Sequence, residues 1–423
     1  MRILLTGANG FIGRYLLARL AAAGHEVVPA VRRPAEADRL LDEPRALRVD
    51  FNRDVTPDAW LPRLVGIDAV INCAGILQRG RGQSIAAIHS DAPKALFKAC
   101  EIAGVNRVIQ ISAISVAAET AYASTKRVAD DALAASGLDW IILRPSLVYA
   151  AGAYGGTALL RALSALPFAI PLVGSGEQLF QPIHVDDLAS IILAILAAPQ
   201  LRQRVIVPVG ADRIALKDLL VDLRRWLGYP PARILSIPLA CVKFVARIGD
   251  GIGGTINSTA LRQLEFGNTG SFEEVVSATG IRPRRWRDVL LANPAQSQDR
   301  WHARLYFLRP ALRWAIAATW IASGAIGMLD RAALAHAFSA FGFALSQPAI
   351  LFMCLLDFLI GTAVLARRRI AVVAALQIAT VALYTVALSA AAPSLWLDPL
   401  GPLLKNFVFM LAVAVLAAVE NER

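Results

Sequence analysis

The sequence predicts an α/β chain: a doubly wound parallel sheet with a small second lobe, followed by a bundle of four membrane-crossing helices. Three observations carry this. A short apolar strand, Met1 to Thr6, runs into glycines at 7, 10 and 13 that open an apolar helix. Strand-like and helix-like apolar runs then alternate as far as about residue 300, the pattern of a parallel sheet covered by helices. From Ala311 onward four apolar stretches of bilayer length follow one another.

The glycines have separate tasks. Gly7 lets the chain reverse tightly, Gly10 lets backbone approach a pyrophosphate, and Gly13 lets the helix pack close on its strand. The free amides at the helix start then face the phosphates, which makes Thr6, Gly7, Asn9, Gly10, Phe11, Ile12 and Gly13 the expected dinucleotide turn. The helix from Phe11 to Ala23 stops at Gly24, and the strand His25 to Val31 completes the unit, although Pro29 inside it removes a ladder donor. Arg32 and Arg33 follow where an acid binds the ribose hydroxyls of NAD. Arginine there suits a 2′-phosphate, so NADP(H) is favoured, with NAD(H) as the second option.

A third strand, Ala46 to Asp50, ends in Asp50-Phe51, and a fourth, Asp68 to Asn72, ends in Cys73-Ala74-Gly75. Ligands of doubly wound sheets lie at the carboxyl ends of the strands, so these residues are read as cofactor neighbours. The helix Pro93 to Ala103 and the strand Val105 to Ile111 lead to Ser112 and Ser115, and then to Tyr122-Ala-Ser-Thr-Lys126. Tyr and Lys four apart share one helix face, and an ammonium beside a phenol lowers the phenol's pKa. A phenol tuned in this way passes a proton to or from a substrate oxygen while hydride moves to or from nicotinamide. The strand Leu138 to Leu143 leads to Pro145 and a glycine-rich loop, Ala150 to Gly156, that is free to move over a substrate. His184, ahead of Asp186-Asp187, reads as a packed helix cap.

Together Gly7-xx-Gly10-xx-Gly13, Asp50-Phe51, Asn72-Cys-Ala-Gly75, Tyr122-xxx-Lys126, Arg144-Pro145-Ser146 and Gln181-Pro-Ile-His-Val-Asp-Asp187 resemble the extended or atypical short-chain dehydrogenase/reductase superfamily, with its NAD(P)-binding Rossmann fold, over residues 1 to 300. The arginine-bearing second strand and Leu261-Arg-Gln-Leu-Glu-Phe266 are similar to the branch of the NADPH-binding accessory subunit of respiratory complex I. The resemblance implies Tyr122 as acid/base, Lys126 on the ribose and lowering the Tyr pKa, and Ser112 or Ser115 polarising a substrate carbonyl. Pro145 joins the implied cofactor contacts. Ala113 stands where many members carry a second serine, a departure that bears on catalysis more than on cofactor binding. Substrate contacts are expected within 146–180, and the patterns over 210–300 suggest a lobe that completes the pocket. The polar and basic region Ser271 to Trp286, with Arg282, Arg284, Arg285 and Arg287 in quick succession, reads as a face for anionic headgroups or as a link to the apolar C-terminal region.

Of the 423 residues, 56% are hydrophobic and 18% charged, too apolar for an ordinary soluble enzyme, and the mean hydropathy is +0.53. The net charge of +11 is scattered or flanks apolar spans rather than forming a stripe with interleaved aromatics, which argues against nucleic acid as a partner. The four cysteines share no metal-ligand spacing, so no metal site is expected, and a reducing compartment is. Met1 to Thr6 serves as the first strand rather than as a signal peptide, since Thr6 and Gly7 interrupt the run.

The spans are Ala311 to Leu329, Pro348 to Ala366, Ile370 to Ala391 and Leu403 to Val419. Arg304, Arg309 and Arg313 precede the first and Arg367-Arg368-Arg369 separate the second from the third, which puts both termini in the cytoplasm and the protein in the inner (plasma) membrane. Asp357 falls mid-span, so it is expected to face the bundle interior, with Lys405 as a partner or snorkelling outward and Gln377 as a further intramembrane polar group. Asp398-Pro-Leu-Gly401-Pro-Leu-Leu-Lys405-Asn406 ahead of the last span resembles DoxX-like four-helix membrane proteins, over 300–423. That resemblance implies redox chemistry linked to quinones or thiols.

The expected activity is therefore a membrane-anchored NAD(P)H-dependent oxidoreductase acting on a carbonyl or hydroxyl of a lipid-soluble molecule, quinone- or isoprenoid-related. The rivals are a non-catalytic NADPH-binding subunit of a membrane complex and a nucleotide-sugar epimerase or dehydratase.

Overall fold

The computed structural model describes residues 1–34, 46–76, 82–117, 120–252, 258, 261–262, 268–367 and 369–420. Residues 263–266 of the branch-like segment and Arg368 lie outside them. The chain divides into two units, Met1–Ala303 and Arg304–Arg423.

The first unit is built on seven parallel strands: β1 (Arg2–Thr6), β2 (Glu26–Val31), β3 (Leu47–Arg48), β4 (Ala69–Asn72), β5 (Arg107–Ile111), β6 (Asp139–Leu143) and β7 (Arg204–Ile206). Their spatial order is β7-β6-β5-β4-β1-β2-β3. The order reverses between β1 and β4, and that switch point opens the crevice in which such sheets hold ligands. Both faces are covered. Leu16, Leu20, Ile191 and Ile195 pack on one side, and Trp60, Leu96, Cys100 and Leu133 on the other. Each such side chain contributes roughly 1.5–3 kcal/mol by leaving water, which is why the strands read as continuous apolar runs.

Pro29 costs the sheet nothing, for a register reason. Ala30 turns its carbonyl to β1, where Gly7 N–H donates to it at 3.1 Å, so Pro29 and Val31 face β3. Pairing with β3 begins only at Ala30 opposite Leu47, and the missing N–H of Pro29 falls before it.

A second core lies in the lobe, where Tyr149, Leu160, Ile170, Leu172, Phe180, Leu219, Leu223 and Trp286 pack together. The arginine-rich stretch is paired with carboxylates of this lobe. Arg284 pairs with Asp187 at 2.8 Å, Arg285 with Asp212 at 3.0 Å and Arg287 with Asp222 at 2.9 Å. These guanidiniums tie the segment to the lobe's own carboxylates. The expected cap is also present: His184 stands at the N-cap of the helix Val185–Ala197 and accepts from Asp186 N at 3.3 Å.

The second unit carries four helices long and apolar enough to cross a membrane: Ser297–Leu329, which starts in the first unit, Gln347–Ala366, Ile370–Ala391 and Pro402–Glu420. The sequence pattern did not reveal the short helix Arg331–Ala340 between the first two. Packing is inverted relative to a soluble protein. Phe352, Leu359, Leu383 and Val408 point outward, while Asp357, Gln377, Thr380 and Thr385 are buried. Helices approach backbone to backbone at Gly324 and Gly361, where an added Cβ would lie 2.5 Å from Cys354 O and 2.9 Å from Ala317 O. The partner of Asp357 is Ser323, whose hydroxyl donates to it at 2.8 Å. Gln377 accepts from Trp320 Nε1 at 2.9 Å, and Lys405 is exposed.

Candidate active site at the switch point

Gly7 has φ of +64°, and a Cβ there would lie 2.9 Å from Ala74 N and from the Cys73 carbonyl, so the turn closes against the end of β4 only with glycine. A Cβ on Gly13 would lie 2.1 Å from Gly7 O, which seats the helix directly on the turn. At Gly10 the same test meets only Gly7 O, at 3.0 Å, and the remaining space at the start of the helix Phe11–Ala22 is open. Its first amides carry no side-chain cap. This cradle fits a pyrophosphate: backbone donors, positive dipole end and room for close approach coincide.

The other turn residues contribute main chain. Ile12 packs against the core, Asn9 O accepts from Arg14 Nε at 3.0 Å, and Phe11 stacks on Tyr154 with centroids 5.5 Å apart and planes at 6°. That stack brings the glycine-rich loop against the cofactor helix. The loop's base is fixed by buried Arg161, which donates to Ala150 O at 2.6 Å and Ala151 O at 2.8 Å. Across the strand ends, Thr6 Oγ1 donates to Asn72 Oδ1 at 2.5 Å and Asn72 Nδ2 to Gln110 Oε1 at 2.7 Å, locking β1, β4 and β5 in register.

Arg32 and Arg33 are exposed at the end of β2, and Gln83, with its amide oxygen turned toward the guanidinium, accepts from both terminal nitrogens of Arg32. Asp50 is occupied by its own turn, accepting from Asn52 N at 3.0 Å and Nδ2 at 3.2 Å. The Phe51 ring is buried edge-on against Trp60 at 5.4 Å, so its main chain is the part that borders the crevice.

On the other side of the crevice the helix Ala121–Ala134 presents Tyr122, Lys126 and Asp130 at intervals of four. Lys126 Nζ donates to Ile111 O at 3.0 Å, and a Cβ on Gly75 would come within 3.3 Å of the same nitrogen, so the ammonium lies between the ends of β4 and β5. Cys73 and Ala74 belong to that β4 turn, with Ala74 N donating to Asn72 Oδ1 at 3.2 Å. Burial pushes the Cys73 thiol up to about 12, against the pull of Lys126. Pro145 O accepts from Ile114 N at 3.1 Å and anchors the turn that holds Ser115.

Two expectations change here. Ser112 is engaged: its hydroxyl donates at 2.8 Å to buried Asp130, whose same oxygen takes Arg144 at 3.0 Å. It is oriented by a carboxylate rather than toward a substrate, while Ser115 lies buried in the turn Ile114–Ala117. The phenol of Tyr122 is raised to about 12, not lowered, because burial opposes the phenolate and the Asp130 carboxylate adds to it. Burial also lowers the Lys126 pKa, partly offset by Asp130, and raises that of Asp130 despite Ser112 and Arg144.

Sequence reasoning missed His89. It sits on a π-helical turn, Ala87–Asp91, and its Nε2 accepts from Ile76 N at 3.0 Å. That leaves Nδ1 as the donor to Thr125 Oγ1 at 3.1 Å, and the ring stands edge to face with Tyr122 at 5.2 Å. Burial first, then the charge of Lys126, lowers its pKa to about 3, so the imidazole is neutral. No local motif marks it, since its partners lie 13 and 36 residues away. Among the described residues no group of three His, Cys, Asp or Glu is placed to hold a metal ion.

Known proteins share both parts of this chain. Residues 3–210 match the NAD dependent epimerase/dehydratase family and residues 317–414 the DoxX-like family. The chain is 26% identical over 243 residues to a ceramide reductase of Caulobacter vibrioides, covering 56% of this chain and 73% of that one. It is 30% identical to an uncharacterized sugar epimerase of Bacillus subtilis, covering 34% of this chain and 71% of that one. It is 28% identical to the mitochondrial NADH dehydrogenase (ubiquinone) 1 alpha subcomplex subunit 9 of Arabidopsis thaliana, covering 55% and 61%. Among solved structures, a nucleoside-diphosphate-sugar epimerase of Staphylococcus aureus shares the fold with a TM-score of 0.54 at 18% identity, covering 69% of this chain and 99% of that one.

Proposed function

We propose, on the premise that the chain belongs to the NAD dependent epimerase/dehydratase family and ends in a DoxX-like membrane domain, that it is a membrane-anchored, NADPH-using oxidoreductase that reduces a carbonyl of a lipid-soluble molecule. The observation that carries this reading is the pairing of Tyr122 with Lys126 beside Gly75 at the switch point, in a chain with four apolar helices of membrane-spanning length. When bound, the nicotinamide dinucleotide supplies the hydride. The chain's own residues do the rest. The first-turn amides after Gly10 hold the pyrophosphate, Arg32 and Arg33 select the 2′-phosphate, and the Lys126 ammonium meets the ribose. Tyr122, held as a protonated phenol at neutral pH, gives its proton to the substrate oxygen. Ser115 is the hydroxyl left to polarise that oxygen, because Ser112 is held by Asp130. The name of one similar protein, a ceramide reductase, agrees with a lipid as substrate. The arginines before the first span and between the second and third support a reading in which the nucleotide unit faces the cytoplasm from a plasma (inner) membrane.

A second reading is favoured by Ala113 and by the engagement of Ser112: a subunit that holds NADPH without turnover, in keeping with the likeness to a respiratory NADH dehydrogenase subunit. The test is NADPH oxidation by the full chain in nanodiscs as lipid extract of the host is added, with Tyr122→Phe alongside. Oxidation by wild type alone supports the enzyme. Tight binding with no oxidation in either protein favours the second reading.

A further inference from the structure

The segment 233–252 is the most apolar exposed feature of the first unit. The strand Arg233–Ile237 pairs in parallel with Ala169–Val173 on one edge only, and both its faces are open: Ile234 is 48% and Leu235 57% exposed. Phe168, just before the partner strand, is 88% exposed. After Pro238 the chain enters the helix Leu239–Ile252, in which Ala246 and Gly249 are the residues buried among those whose burial is described. Its opposite face carries Cys241, Phe244 and Val245, with Phe244 64% and Val245 48% exposed, and Lys243 and Arg247 run along one side of it. A cluster of exposed apolar side chains such as this marks an interaction site.

We propose that this strand–helix unit is a membrane-surface element that inserts Phe244 and Val245 at the headgroup–acyl boundary of an anionic bilayer. Three features of the chain select that partner. Apolar residues flanked by cations on one helix are the pattern of an interfacial helix, and 233–252 carries Arg233, Lys243 and Arg247 against the single carboxylate of Asp250. That carboxylate is engaged locally by Ser258, which donates to it through its amide at 3.0 Å and its hydroxyl at 2.6 Å. The same chain also carries four helices of membrane-spanning length, so a lipid surface is present at high effective concentration and a weak insertion is enough. The arginines the sequence suggested for this role, 284, 285 and 287, are spent on Asp187, Asp212 and Asp222, whereas none of those carboxylates takes Lys243 or Arg247.

The molecule supplies its own probe position. Cys241 is exposed on the inserting face, whereas Cys100 and Cys354 are buried and Cys73 is half-buried. An environment-sensitive fluorophore attached to Cys241 of the full chain, with Cys241→Ser as labelling control, is read in nanodiscs of phosphatidylcholine alone and of phosphatidylcholine with phosphatidylglycerol. In the anionic discs the emission shifts to the blue, spin-labelled lipid quenches it and aqueous iodide loses most of its quenching. Lys243→Glu with Arg247→Glu, both exposed positions, reverses these changes while the thermal unfolding midpoint stays put. The proposal is overturned if iodide quenches the probe equally in anionic discs and in detergent. It is also overturned if the probe is shielded without regard to lipid and in step with a dimer seen by mass photometry, which would make this face a contact between two copies.

Discussion

The two walls of the crevice are built on different principles. The wall formed by β1, Gly7, Gly10 and Gly13 works through main chain: its fitness depends on where a Cβ would collide, and each glycine passes that test for its own reason. The wall formed by the helix Ala121–Ala134 works through side chains whose properties come from neighbours remote in sequence. Tyr122 is governed by burial, Asp130 and the His89 ring, and Ser112 by Asp130. A motif therefore reports the first wall faithfully and the second only as a list of residue types.

Substitutions on either wall break or sharpen this contrast. The largest effect expected is Tyr122→Phe, which lowers turnover by about 10²- to 10⁴-fold, the usual contribution of a positioned acid, and leaves NADPH affinity within twofold by fluorescence titration. Next is Gly13→Val on the main-chain wall. The clash with Gly7 O costs on the order of 3 kcal/mol in overpacking and weakens NADPH binding at least tenfold by calorimetry, with little change in the turnover of whatever fraction is loaded.

His89 gives the contrast a pH signature. Its folded pKa of about 3 lies below the unfolded value of 6.5, so the unfolded chain binds the extra proton and stability falls as pH drops through that window. The loss is about 2 kcal/mol at pH 5, from roughly 1.4 kcal/mol per unit. His89→Phe keeps the ring against Tyr122, removes that acid limb from a denaturation series, and lowers turnover by freeing Thr125 and Ile76. Ala113→Ser adds a hydroxyl where the superfamily often carries one and raises turnover of order tenfold, the low end for a donor to a developing oxyanion. In a subunit that never turns over it does nothing. The smallest effect belongs to exposed Arg32: Arg32→Glu shifts the NADPH-to-NADH affinity ratio down by roughly fivefold, about 1 kcal/mol.

The legibility of the sequence follows the same division. The strand–turn–helix at Gly7 to Gly13, the alternation that yields the seven-stranded sheet, and the four apolar spans are local patterns, and the periods of 2 and 3.6 residues expose them. What stayed hidden depends on long-range company. The packing of the Phe51 ring on Trp60 has no local sign, and neither do the aspartates that meet arginines 284, 285 and 287 from 65 to 97 residues away. His89 has no signal at all, because its two hydrogen bonds are made across the fold. In the membrane unit, Asp357 was legible as an interior polar group from its position in an apolar run, but Ser323 as its partner was not.

The most direct test of Tyr122 as the proton donor of a lipid reductase is a single turnover with NADPH deuterated at the transferable position, using the full chain in nanodiscs with host lipid and mass spectrometry of that lipid. Wild type is expected to deliver one deuterium to a lipid-phase product and Tyr122→Phe almost none, with nucleotide bound equally to both. Equal delivery by the two proteins would contradict the role of Tyr122, and no delivery by either despite tight binding would contradict the enzyme itself.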